Sequence, residues 1–168
     1  MNPEPRLRPL RAEESDLLFE ASMGTINWPG PRFTEAEARA IPEIAHYWDF
    51  RPERGDLGVV AETAGAGGIP LVVGVTWLLF FPEDDPGYGF VAADVPEYGV
   101  WVREGWRGAG LGRRLTEAVI AEARARGLRA ISLSVEDSNP SHHLYRSLGW
   151  EPVPGGEADG VMLLPLDG

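Results

Sequence analysis

The stretch Val100-Trp101-Val102-Arg103-Glu104-Gly105-Trp106-Arg107-Gly108-Ala109-Gly110-Leu111-Gly112 constrains this chain more than any other. A β-branched and aromatic run ends in a turn, the pattern Arg107-x-x-Gly110-x-Gly112 follows, and an amphipathic helical pattern begins at once. Glycines at such a junction let a ligand approach the main chain, because no Cβ stands in the way. The first turn of the next helix carries open N–H groups and the positive end of its dipole. The spacing therefore predicts a phosphate or pyrophosphate cradle between a strand and a helix.

The rest of the chain supplies a sheet for that cradle. Leu7 to Leu10 reads as a short strand, and Glu13, Glu14, Ser15 and Asp16 supply N-cap and acidic first-turn residues for a helix. The segment from Thr25 to Phe33, with two prolines and a glycine, reads as a loop, and Thr34-Glu35-Ala36-Glu37 as a capping box opening a second helix that Pro42 interrupts. Gly58–Glu62, Leu71–Phe80 and Glu97–Val102 read as strands. From Gly110 to Arg126 the spacing of Leu111, Leu115, Ala118 and Val119 is helical, with Gly127 as the stop. Ile131, Leu133 and Val135 alternate on one face of a further strand. A helix capped by Ser138 or Asn139, with Pro140 in its first turn, runs to Gly149, and two final strands follow. The predicted order is β-α-α-β-β-β-α-β-α-β-β. That is one α/β domain over residues 1–168, a mixed central sheet with helices on both faces.

Composition removes several chemistries. The chain contains no cysteine and no lysine; all 15 basic residues are arginine. Thiol nucleophiles, disulfides, Schiff-base lysines and the P-loop lysine are therefore excluded. Three histidines, His46, His142 and His143, poorly support a metal site, and none is expected. A formal net charge of -11 argues against nucleic acid and anionic membrane as partners. With no apolar h-region at Met1–Arg6 and no membrane-length apolar run, a cytoplasmic protein is expected.

Arg107-Gly108-Ala109-Gly110-Leu111-Gly112 resembles the Arg/Gln-x-x-Gly-x-Gly/Ala signature of the GCN5-related N-acetyltransferase (GNAT) superfamily. About thirty residues on, the segment Asn139 to Trp150 resembles that superfamily's Asn-x-x-x-x-x-Tyr-x-x-x-Gly-Phe helix, with Tyr145 and Gly149 in place. The resemblance covers about Glu97 to Trp150. The rival dinucleotide fingerprint is one residue too long for Gly108-Ala109-Gly110-Leu111-Gly112.

The resemblance implies acetyl-CoA as donor. Arg107, Gly108, Ala109, Gly110, Leu111 and Gly112 would hold its pyrophosphate, with Arg113 or Arg114 reaching the ribose phosphate. Main-chain groups of Val100, Trp101 and Val102 would pair with the pantetheine arm like an added strand, which requires the strands at Val102 and Val135 to splay. An N–H near Val102 would polarise the thioester carbonyl. Asn139 would bond the pantetheine amides, and Tyr145 would protonate the leaving thiolate. Glu97 is the first candidate for the base that frees the amine, and Tyr98, on the opposite face of an ideal strand, is the alternate.

The acceptor site is expected in the loops Trp28–Phe33 and Glu83–Asp94, where aromatics with Asp84 and Asp85 suit a cationic amine, small or peptidic. The histidines are expected to be neutral surface or packing residues. The expected activity is direct transfer of acetyl to a primary amine in a ternary complex. Rival readings are a CoA-binding sensor without turnover, or an acyltransferase using another acyl-CoA or an oxygen acceptor. A homodimer is compatible with the resemblance, though no segment argues for one.

Overall fold

β-Branched and aromatic runs build the sheet, and proline- and glycine-rich segments turn the chain between them. The computed structural model describes residues 3–166. Its strands are β1 (Arg6–Pro9), β2 (Leu57–Ala64), β3 (Pro70–Leu79), β4 (Glu97–Val102), β5 (Ala130–Ser134), β6 (Glu151–Pro152) and β7 (Val161–Pro165). Its helices are α1 (Ser15–Ile26), α2 (Glu35–Ala40), α3 (Pro42–Ala45), α4 (Leu111–Ala125) and α5 (His142–Leu148). The strands form one mixed sheet in the order β1-β2-β3-β4-β5-β7-β6. All neighbours are antiparallel except β4 and β5.

Both faces of the sheet are covered, as the alternation of its strands requires. On one face Leu18 and Ala21 of α1 pack with Val60, Val75, Trp77, Leu79 and Trp101. On the other, Val119 and Ile120 of α4 and Tyr145 of α5 pack with Leu78, Tyr98, Ile131 and Leu133. Full burial of a side chain such as Leu18 or Leu115 contributes about 1.5–3 kcal/mol. Gly74 permits a close helix–sheet approach: a Cβ there would lie 2.8 Å from Leu115 Cδ1.

Thr34 and Glu37 form the expected capping box, each side chain bonded to the other's main-chain N–H. Pro42 ends α2 as expected, but the chain then makes the extra turn α3 with Pro42 in its first turn. Two helix starts differ from expectation. α1 begins at Ser15 without a side-chain cap. The Glu14 carboxylate is instead taken by Arg8, at 2.8 Å through each oxygen, and by the Arg11 N–H. α5 begins at His142, so Pro140 precedes the helix; Asn139 Oδ1 accepts from Ser141 N–H at 2.9 Å and closes a turn before it.

Candidate active site

β4 and β5 run parallel yet share a single residue pair, Glu97 with Ser132, closed by the Ser132 N–H on Pro96 O at 3.0 Å. Beyond it the strands part. Alternate strand residues turn their N–H and C=O groups to opposite edges. The Arg103 N–H bonds Val73 O, so residues 99, 101 and 103 face β3 and residues 98, 100 and 102 face the gap. The main chains of Val100 and Val102 are thus turned to the opening. Trp101 is a correction: its backbone belongs to the β3 ladder opposite Val75, and its ring packs on α1 at Gly24.

The glycine turn closes the far end of this gap. Gly105, Gly108 and Gly110 have φ of 89, 81 and 86°, a region that L side chains rarely enter. A Cβ at Gly108 or Gly110 would meet open space, so these positions are held by conformation, not crowding. Gly110 is the N-cap of α4 and gives it no side-chain cap, and the first turn carries no acidic residue. By contrast α2 has Glu35 and Glu37 in its first turn. The α4 N-terminus therefore offers N–H groups and a positive dipole end to an anion from outside. Leu111 contributes only its main chain, since its side chain is buried with Leu115. Ala109 is exposed in the turn, and Gly112 lies beside Val102.

The arginines are already engaged. Arg107 Nε donates to Val102 O at 2.8 Å, tying the turn to the end of β4. Arg113 reaches Ser147 Oγ at 2.7 Å and so straps α4 to α5, while Arg114 leans on Pro5 O.

A cleft of about 560 Å³ opens on the α1 face beside the gap. Trp77 floors it, lying so close over Gly99 that a Cβ there would strike the indole. Trp28 and Phe33 line it from the loop after α1, as expected. Asn27 shapes that loop, its Oδ1 accepting from both Arg32 and Phe33 N–H. Of the other expected loop only Tyr88 reaches the cleft among the residues bordering it; Asp85 instead pairs with His46, and Asp84 is exposed elsewhere. The remaining wall comes from the segments after β5 and before β7, with Glu136, Asp137, Asn139, Glu157 and Asp159. Arg32 crosses to Glu136 at 2.6 Å.

Glu97 borders this cleft and is 6% exposed, not the surface carboxylate that its position after Pro96 would suggest. The β3–β4 register runs unbroken from Leu79 opposite Glu97 to Gly74 opposite Val102, so no bulge shifts it; the irregularity lies between β2 and β3. Burial pushes the Glu97 carboxyl up to about 7, against the opposing pull of donors from Tyr47 and Gly89. Tyr98 points to the other face and bonds Thr116 Oγ1 at 2.7 Å. Tyr145 lies on that same face, edge-on to Tyr98 at 5.6 Å. Burial raises its phenol to about 12, opposed by the Tyr98 and Ser141 hydroxyls, so it keeps its proton at neutral pH. Glu97 and Tyr145 thus flank the sheet from opposite sides near the point where it parts.

His46 is packed against Phe81 at 4.4 Å, His142 is half-buried, and His143 is exposed. Tyr47 is the candidate site side chain that sequence reasoning missed. Its hydroxyl donates to Glu97 Oε1 at 2.8 Å across fifty residues, and an aromatic pair after α3 gives no signal of that.

This architecture recurs in solved N-acetyltransferase structures. An N-acetyltransferase of Staphylococcus aureus Mu50 superposes with a TM-score of 0.66 at 17% identity, covering 98% of this chain and 100% of that one. A phosphinothricin acetyltransferase of Sinorhizobium meliloti, solved in complex with AcCoA, gives 0.63 at 21% identity over 98% and 89% of the two chains. Mycothiol acetyltransferase of Saccharomonospora viridis is 32% identical over 164 residues, 82% of this chain and 53% of that protein. L-methionine sulfoximine/L-methionine sulfone acetyltransferase of Pseudomonas aeruginosa is 45% identical over 56 residues, 33% of each chain. The chain spans about half the length, or less, of these curated relatives. The fold is therefore that of an acetyltransferase. The profile of the Acetyltransferase (GNAT) family matches residues 22–150, and the chain belongs to that family.

Proposed function

We propose that this protein is an acetyl-CoA-dependent N-acetyltransferase that passes acetyl directly to a primary amine in a ternary complex. The observation that carries this reading is the parting of β4 from β5 after one residue pair, between an uncapped helix N-terminus and a cleft holding a buried carboxylate. A thioester carrier fits that layout. Its diphosphate meets the N–H groups of the Arg107–Gly112 turn, and its pantetheine arm runs along the edge of Val100 and Val102. Asn139 borders the cleft beyond the end of β5, and its side-chain amide would bond the arm's amides there. A related acetyltransferase solved with AcCoA supports the choice of carrier.

Glu97, whose partnerless oxygen is buried, takes a proton from the incoming ammonium through a water, freeing the nitrogen lone pair. As the C–N bond forms, a gap-facing N–H of Val100 or Val102 donates to the carbonyl oxygen. The C–S bond then breaks, Tyr145 donates its proton to the departing sulfur, and the second proton shed by the acylated nitrogen passes through water to restore the phenol. Five carboxylates border the cleft against one arginine, Arg32, itself paired with Glu136, which favours a cationic acceptor. With no cysteine to carry the acetyl group, transfer is direct.

Thiol release from acetyl-CoA across a panel of amines tests this reading. Initial velocities should give intersecting lines for the accepted amine; parallel lines with an acetylated enzyme would refute direct transfer. Tyr145→Phe should lower kcat by about 10²-fold, within the range for a general acid, while leaving CoA affinity within about twofold by calorimetry. An unchanged kcat would remove Tyr145 from the chemistry.

A further inference from the structure

We propose that Tyr47 is a positioning residue for Glu97, fastening one carboxylate oxygen to the loop above it so that the other receives the proton. This rests on Glu97 being the base. The Tyr47 hydroxyl donates to Glu97 Oε1 at 2.8 Å and accepts from the Tyr88 N–H at 2.7 Å. The Gly89 N–H donates to the same Oε1 at 3.1 Å. Both lone pairs of Oε1 are therefore in use. Oε2 is buried and has no partner. It lies under Gly87, where a Cβ would fall on it, so only glycine at 87 leaves that oxygen its space.

The phenol is well placed for this task. Its ring stacks on Tyr88 at 6.2 Å with planes 8° apart and meets Phe81 edge-on at 5.2 Å. Held on two sides, the hydroxyl cannot turn away from Oε1 without losing the Tyr88 amide as well. One hydroxyl thus links the base, strand β4 and the segment Gly87–Gly89. Donors to a carboxylate stabilise its ionised form, so the clamp also keeps the buried group able to act as a base.

Tyr47→Phe keeps the ring and removes only the hydroxyl. With 13C-labelled glutamate, NMR of the free protein should show the Glu97 carboxyl titrating about one pH unit or more higher in the variant, a tenfold loss of the ionised fraction below that range. With acetyl-CoA and the amine selected by the panel, kcat should fall about tenfold at pH 6 and recover at pH 9, with KM for acetyl-CoA within about twofold. An unmoved Glu97 titration would overturn the proposal and leave Tyr47 a packing residue. If Tyr47→Phe fails to fold, 3-fluorotyrosine at position 47 supplies a stronger donor and should move the titration down; no movement overturns the proposal equally. If Glu97→Gln keeps the wild-type pH limb of kcat, Glu97 is not the base, and the NMR titration still decides whether Tyr47 clamps it.

Discussion

Glu97 carries a stability cost that goes with its proposed role as base. Its carboxyl is raised from 4.5 to about 7, chiefly by burial. Between those values the folded chain holds a proton that the unfolded chain has lost, so stability falls as pH rises through this window and levels above it. At about 1.4 kcal/mol for each pH unit, the loss is on the order of 3 kcal/mol. Glu97→Gln should escape it, because the amide oxygen still accepts from Tyr47 and Gly89 and nothing ionises. Wild type and variant should have similar denaturation midpoints near pH 4.5, and the variant should gain steadily up to pH 7 while its turnover collapses. A stability difference independent of pH would mean that the carboxyl titrates normally. None of this was visible in the sequence, where Glu97 read only as the first candidate for the base. Alternation fixes which face a strand residue takes, not what lies over that face; here the cover comes from Tyr47 and Gly89.

At the scale of elements, legibility followed locality. α4 was readable because its apolar spacing, its glycine-rich start and the Gly127 stop lie within one segment, and the Thr34–Glu37 capping box for the same reason. The cap of α1 was misread because Glu14 had a better partner in Arg8, on β1. The parting of β4 and β5 was anticipated from family resemblance alone, since strand pairing over more than thirty residues leaves no mark in periodicity. Likewise Arg32 and Glu136, 104 residues apart, meet only in the fold. The turn before α4 yields a prediction at this scale. Gly110→Ala forces an L residue to φ near 86°, which costs about 1–2 kcal/mol and should lower Tm by about 2–8 °C. The same change tilts the first N–H groups of α4, so CoA affinity measured by calorimetry should fall as well. Gly127→Ala carries a similar conformational cost at φ 74° at the other end of the helix, and should lower Tm without touching affinity.

Over the whole molecule, the sheet has a seam. β1 to β4 form one antiparallel set and β5, β7 and β6 another, and among the described residues the sets share one strand pair, with α4 and α5 packed across them. A ligand that fills the seam bonds to both sets at once, so its binding should register as global stability. At a hundredfold excess over Kd, binding to the native state alone contributes about 2.7 kcal/mol. For a chain of this size that raises Tm by about 5–10 °C. Adenosine 3′,5′-diphosphate keeps phosphate groups for the turn but lacks the pantetheine arm that would lie between β4 and β5. Coenzyme A should therefore stabilise more than this analogue at equal concentration, and the difference should shrink when Asn139→Ala removes the proposed contact on the β5 side. Equal shifts from the two ligands would put all the affinity in the glycine turn and leave the seam without a role in holding the arm.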